Sequence, residues 1–114
     1  MELERFETEV TVEGPDRMIV SLIGELDLGA VPALWARLEP LFGPGKLIVL
    51  DGERLGFLDS SGLRMLARAA SRAARTGTVL RLVAPGQAVR RTLELVGAET
   101  LIDLRPTVAQ ALAA

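Results

Sequence analysis

The chain has no cysteine, no histidine and no tyrosine. Without cysteine there can be no disulfide, thiolate nucleophile, Cys-ligated zinc or iron–sulfur cluster. Without histidine and tyrosine, the usual general base at neutral pH, the usual metal ligand and the phenolic acid are gone as well. Aromatic residues make up only 4% of the chain, the net charge is −2 and the sequence pI is about 5.2. Nucleic-acid binders normally bring net positive charge and aromatic stacking platforms, so no direct nucleic-acid partner is expected. No apolar run approaches the ~18 residues of a membrane span, and the acidic opening Met1-Glu2-Leu3-Glu4-Arg5 does not read as a signal peptide. These absences describe a cytoplasmic protein with no cofactor, no metal site and little equipment for catalysis.

What is present suits a globular fold. The 114 residues are 49% hydrophobic and 25% charged, and a chain of this length reads as one domain, residues 1–114, with one core. Phe6, Thr8, Val10 and Val12 alternate with Glu7, Glu9, Thr11 and Glu13, the period of a half-buried strand. Gly14-Pro15-Asp16 is turn chemistry, and the strand from Met18 to Ile23 follows so closely that the two must pair antiparallel. Gly24-Glu25-Leu26-Asp27 ends that strand. Val31, Leu34, Trp35, Leu38 and Leu41 then recur at helical spacing, until Gly43-Pro44-Gly45. Lys46 to Asp51 is apolar on both faces, as in a central strand covered by helices. A helix from about Ser61 to Thr76, a strand from Val79 to Val83 and an exit turn at Pro85-Gly86 come next. A helix marked by Val89, Leu93 and Val96, a short strand near Leu101–Leu104 and a helix after Pro106-Thr107 complete the chain. The order is β-β-α-β-α-β-α-β-α. It predicts an α/β fold: a mixed sheet with an N-terminal antiparallel hairpin, then parallel β-α-β units, packed with about four helices.

The segment with chemical potential is Phe57-Leu58-Asp59-Ser60-Ser61-Gly62-Leu63, where a buried strand region gives way to a helix. The first amides of a helix have no partners within it and carry partial positive charge. A serine there can cap the helix, or it can carry a phosphate facing those amides. Capping is the simpler account, although Leu63 and Arg64 stand where a capping box would need Glu or Gln. Parallel strands end on the same edge of a sheet, so Asp27 and Asp59 are expected near one another, on the edge where α/β sheets place their sites. Asp27 reads equally well as a cap for the helix containing Trp35.

Charge is unevenly distributed. The first 13 residues hold five Glu and one Arg, whereas no acid lies between Asp59 and Glu94 among seven arginines. Leu63, Leu66, Ala67, Ala70 and Ala74 are expected to face inward on the helix, with Arg64, Arg68, Arg72 and Arg75 as an outward ridge. Individually such arginines are solvated surface residues; as a group they suggest an acidic docking partner. No P-loop is present, since Gly43-Pro44-Gly45-Lys46 precedes a strand, and the Gly-x-Ser-x-Gly elbow is missing. Two acids alone do not make a glycosidase, which needs a sugar cleft that so small a chain has little room to build.

Gly24-Glu25-Leu26-Asp27, Asp59-Ser60-Ser61-Gly62-Leu63, Leu80-Arg81-Leu82-Val83 and Val89-Arg90-Arg91-Thr92-Leu93-Glu94-Leu95 together resemble the bacterial anti-sigma factor antagonists, which are single STAS domains. The resemblance covers nearly the whole chain. It implies a regulator of transcription, not an enzyme, that binds an anti-sigma factor and so frees the sigma factor. The anti-sigma factor is itself a serine kinase that phosphorylates the first serine of the motif, here Ser60, ending the interaction; a phosphatase restores it. Contact residues implied by the resemblance are Asp27, Asp59, Ser60, Ser61, Gly62 and the exposed side of the following helix at Arg64, Met65 and Arg68. The family often reads Asp-Leu-Ser-Gly where this chain has Asp51-Gly52-Glu53-Arg54, a difference read here as a loop on the same edge that bears on partner identity. An alternative is a non-phosphorylated STAS subunit of a lipid or solute transport complex, docking on its ATPase. Such subunits commonly show Thr-Gly-Gly in place of Ser60-Ser61-Gly62, so the paired serines favour the antagonist. A nucleotide- or lipid-binding module has no support beyond the sheet edge.

Overall fold

The computed structural model describes residues 6–83, 86–97 and 102–113. Residues 1–5, Pro85 of the expected exit turn and Leu101 of the expected last strand lie outside the described residues. The elements are β1 (Phe6–Gly14), β2 (Arg17–Leu26), α1 (Val31–Leu38) with a 3₁₀ turn at Glu39–Leu41, β3 (Leu47–Leu58), α2 (Ser60–Thr76), β4 (Val79–Val83), α3 (Gln87–Leu95), β5 (Asp103–Arg105) and α4 (Val108–Leu112). The strands form one sheet in the order β1-β2-β3-β4-β5. β1 pairs antiparallel with β2, and the remaining neighbours pair parallel. This is the mixed α/β sheet expected from the sequence.

The topology decides where the helices go. Each parallel crossover steps one strand further in the same direction, and right-handed crossovers then place their helices on a common face. Leu34, Trp35 and Leu38 of α1, Met65, Leu66 and Ala69 of α2, and Val89 and Leu93 of α3 accordingly share a core with Val20, Leu22, Ile48, Leu50 and Leu82. The alternate residues Ile19, Val49 and Val83 point the other way and meet Ala111 of α4, which follows the edge strand and is free to fold back beneath the sheet. The double coverage explains why residues 47–50 are apolar throughout.

Two expectations are corrected. β3 does not end at Asp51; it continues to Leu58 alongside β2, so Asp51-Gly52-Glu53-Arg54 belongs to a strand, not a loop. The pairing there is irregular. Asp51 and Arg54 face Ser21 and Ile23, and Leu55 and Phe57 face Gly24 and Glu25, so β3 gains a residue on β2 at each place. Asp51 Oδ1 accepts a hydrogen bond from the Glu53 amide at 3.1 Å, a local turn that stabilises the first bulge. The buried stripe of α2 is also rotated from the expected one: Gly62, Met65, Leu66, Ala69 and Ala73 are buried, whereas Ala67 and Ala74 are exposed and Leu63 and Ala70 half-buried. Gly77 closes α2 with a left-handed φ of 74°. Beyond it, the buried Thr78 hydroxyl both accepts from the Gly43 amide and donates to the Gly43 carbonyl, each at 2.9 Å.

Candidate docking and modification site

β2 and β3 finish in register at Leu26 and Leu58, both buried. The Asp59 amide donates to the Leu26 carbonyl at 3.3 Å, so the two strand ends are fixed side by side. The acids that follow, Asp27 and Asp59, therefore lie on one edge, as parallel pairing requires. Each has structural work there. The Asp27 carbonyl accepts from the amides of Ala30 (3.0 Å) and Val31 (3.2 Å), and its Oδ1 accepts from Ala30 at 3.1 Å, which turns the chain into α1. Asp59 is the N-cap of α2: its backbone is extended, and its Oδ1 accepts from the Gly62 amide at 2.9 Å.

Because Asp59 does the capping, neither serine has to. Ser60 is the first helical residue and is exposed; its hydroxyl has no hydrogen-bond partner among the described residues. Ser61, next along, is half-buried. Their amides belong to the set that no α-helix can satisfy internally. The edge thus presents a free hydroxyl at a helix start, with Asp59 beside it in the chain and Asp27 at the end of the neighbouring strand.

Gly62 is placed differently from the expectation of a contact residue. It is buried, and a Cβ at this position would fall 2.7 Å from Leu58 Cδ1, 2.9 Å from Leu26 Cγ and closer still to the Leu26 carbonyl oxygen. Real Cβ atoms essentially never come so near, so glycine is what lets α2 sit down on the two strand ends. Seating the helix this way is also what rotates its buried stripe. Met65 follows Gly62 into the core at 2% exposure, which removes it from the exposed side of α2, where the sequence reading had placed it.

The arginine ridge is not uniform either. Arg68 lies over the Trp35 ring, 3.8 Å from its centroid. Arg72 is 5.2 Å from the same centroid and 3.5 Å from Glu39 Oε2. Both cations bind α2 to α1 and its following turn. Arg64 and Arg75 are exposed and form no ion pair among the described residues. Of the arginines expected to dock a partner, Arg64 is open and Arg68 is already engaged.

Two apolar residues of this edge were not among the expected contacts, although Phe57 opens the segment singled out above. Phe57 is 48% exposed and Leu28 is 70% exposed, one three residues before Ser60 and the other directly after Asp27. Leu28 continues both the alternation of Leu22 and Leu26 and the spacing that leads to Val31 and Trp35, so its pattern reads as inward and no local signal marked it as exposed. Among the described residues there is no group of three or more Asp or Glu that could hold a metal ion, and no helix is long and apolar enough to cross a membrane.

Comparison with known proteins bears on this edge. The STAS domain model matches residues 8–111. The crystal structure of an anti-sigma factor antagonist from Mycobacterium paratuberculosis is similar at 31% identity and a TM-score of 0.82, covering 94% of this chain and 91% of that one. The unphosphorylated anti-sigma factor antagonist SpoIIAA is similar at 25% identity and a TM-score of 0.76, covering 93% of each chain. The phosphorylated form of Bacillus SpoIIAA shares the fold, with a TM-score of 0.71 at 22% identity over 93% of this chain and 96% of that one. No curated protein sequence matches the chain. A hydroxyl-bearing helix start on paired strand ends, the sheet that carries it and these similarities lead to one assignment: the chain belongs to the STAS domain family and, within it, to the anti-sigma factor antagonists.

Proposed function

We propose that this protein binds an anti-sigma factor through the edge formed by Asp27, Asp59 and the start of α2, so that the sigma factor is released, and that phosphorylation of Ser60 ends the complex. The observation that carries the reading is the exposed Ser60 hydroxyl at the first helical position, left free because Asp59 caps the helix. The known proteins support it: SpoIIAA, a similar antagonist, has been solved both without and with phosphate. The transport-complex alternative is not favoured, since the relatives described above are antagonists.

The chemistry asks little of this chain. Ser60 Oγ attacks the γ-phosphorus of a nucleoside triphosphate held by the partner. The bond to the β–γ bridging oxygen breaks, the nucleoside diphosphate leaves and the hydroxyl proton passes to a base on the partner. Hydrolysis by a phosphatase returns serine and inorganic phosphate. The protein is a substrate and a ligand in this scheme, and the catalytic groups belong to others.

The switch follows from desolvation. A phosphate adds a charge of about −1.5 to −2 and three strong acceptors. At the start of α2 it faces free amides, so the fold tolerates it. In a complex, exposed Phe57 and Leu28 would help close the same edge to water, and taking a dianion out of water there costs several kcal/mol. At about 1.4 kcal/mol per factor of ten, the expected loss of affinity is about a hundredfold or more. Incubation with the cognate kinase and ATP, followed by mass spectrometry, should locate phosphate on Ser60. Ser60→Ala should stay unmodified and still bind. Phosphate found on Ser61 alone, or no modification at all, would overturn the proposal.

A further inference from the structure

We infer that Arg64 is the intramolecular partner of phosphorylated Ser60, so that phosphorylation both adds an anion to the docking edge and withdraws a cation from it. The inference rests on the functional reading above for its physiological meaning, but its geometry stands on α2 alone. Residues four apart on a helix are neighbours, and the favourable order places the anion N-terminal to the cation. Side chains in a helix lean toward its N-terminus, which carries the Arg64 guanidinium back over the first turn, where Ser60 lies. A guanidinium can take two phosphate oxygens at once.

The rest of the ridge explains why Arg64 is the cation for this task. Arg68 and Arg72 are held against Trp35, and Arg72 also against Glu39. Arg64 is exposed and has no ion pair among the described residues, so nothing must be broken before it turns to the phosphate. It also answers a local problem. Asp27 and Asp59 share the edge with Ser60, so a phosphate there enters an edge that already carries two negative charges. Before phosphorylation Arg64 is available to an acidic group on a partner; afterwards it is occupied at home.

The test uses the full chain with phosphoserine incorporated at position 60 during translation, and follows the phosphate by ³¹P NMR as pH is varied. The helix start and the neighbouring acids are the same in every variant, so differences report the cation. Arg64→Gln should raise the midpoint by about half a unit or more, at least a threefold change in the proton dissociation constant. Arg64→Lys should restore part of the difference, and Arg75→Gln, at the far end of the helix, should leave the midpoint unchanged. Equal midpoints in the original chain and Arg64→Gln would overturn the pairing and leave the functional reading intact. An equal shift from Arg75→Gln would also overturn it, because the effect would then be a general field. Failure of an anti-sigma factor to phosphorylate Ser60 would remove the functional reading without touching this measurement.

Discussion

The two edges of the sheet use their arginines in opposite ways. Where the parallel strands begin, two arginines are committed to the main chain of α4, while Val12 and Val79 stand exposed. Arg17 donates to the Leu112 carbonyl at 2.7 Å, and Arg81 donates to the carbonyls of Ala111 (2.6 Å) and Ala113 (2.8 Å), so two guanidinium groups hold the end of α4. Arg81 Nε also lies 3.4 Å from Asp103 Oδ2, and hydrogen bonding from Arg105, assisted by the Arg81 charge, lowers the Asp103 pKa. Where the strands end, the exposed Ser60 and Arg64 are unengaged among the described residues, and Leu28 and Phe57 stand open. Groups committed to internal bonds stabilise the fold, whereas groups left without partners are available to another molecule.

The open edge also has a rigid point, and breaking it should give the largest effect. Gly62 is the point where that edge is rigid. Gly62→Ala would force a methyl group into the Leu26 backbone and the Leu58 side chain, and the backbone carbonyl cannot rotate away as a side-chain tip would. A loss of about 3 kcal/mol is expected, at the upper end for overpacking, measured as a lower midpoint in urea. Because α2 must lift to relieve the clash, Ser60 phosphorylation should slow in the same variant. A variant as stable as the original would mean that the strand ends and α2 are not packed as tightly as these distances require.

The closed edge is probed next by Arg81→Met, which keeps much of the apolar stem but removes the donors that hold α4. Hydrogen bonds from charged donors contribute about 1.5–3 kcal/mol, so a loss of about 2 kcal/mol is expected. It should be accompanied by faster amide exchange in α4, since Ala111 is its one buried residue. Ser60 lies on the other edge, and its phosphorylation should be unchanged. If Arg81→Met altered phosphorylation as much as stability, the two edges would not be the separate regions described here.

How far the sequence reveals this division depends on the kind of interaction. Alternation in β1, the apolar run of β3 and the helical repeats of α1, α2 and α3 are local patterns, and they were sufficient for the element order and for the adjacency of Asp27 and Asp59. The second half of β3 was hidden because Gly52 and Gly56 resemble turn residues and each bulge breaks the period of two that would have marked a strand. The buried stripe of α2 was misplaced by one position because its phase is set by the contact of Gly62 with Leu26 and Leu58, which no repeat within the helix encodes. A helix start at the Asp59-Ser60-Ser61 segment was legible because such starts have their own chemistry, but the expectation that a serine caps it was not met, since Asp59 does. Its neighbours were less legible: Arg64, Arg68 and Arg72 look alike in sequence, and only the position of Trp35, on a different helix, separates them.

That separation supplies the smallest expected effect. Arg68→Gln removes a cation lying 3.8 Å from the Trp35 centroid, while leaving a side chain long enough to cover part of the ring. Cation–π contacts contribute about 0.5–1 kcal/mol at exposed sites and more when desolvated, and Trp35 is only 8% exposed, so about 1 kcal/mol is expected from denaturant unfolding. Trp35 is the sole tryptophan, which gives the contact its own signal: its fluorescence should change in Arg68→Gln and stay constant in Arg64→Gln. Partner binding should respond in the opposite sense, weakening with Arg64→Gln and holding with Arg68→Gln. An Arg68→Gln variant that keeps its stability and its Trp35 fluorescence but loses affinity would place Arg68 in the interface and make the ridge one continuous docking surface.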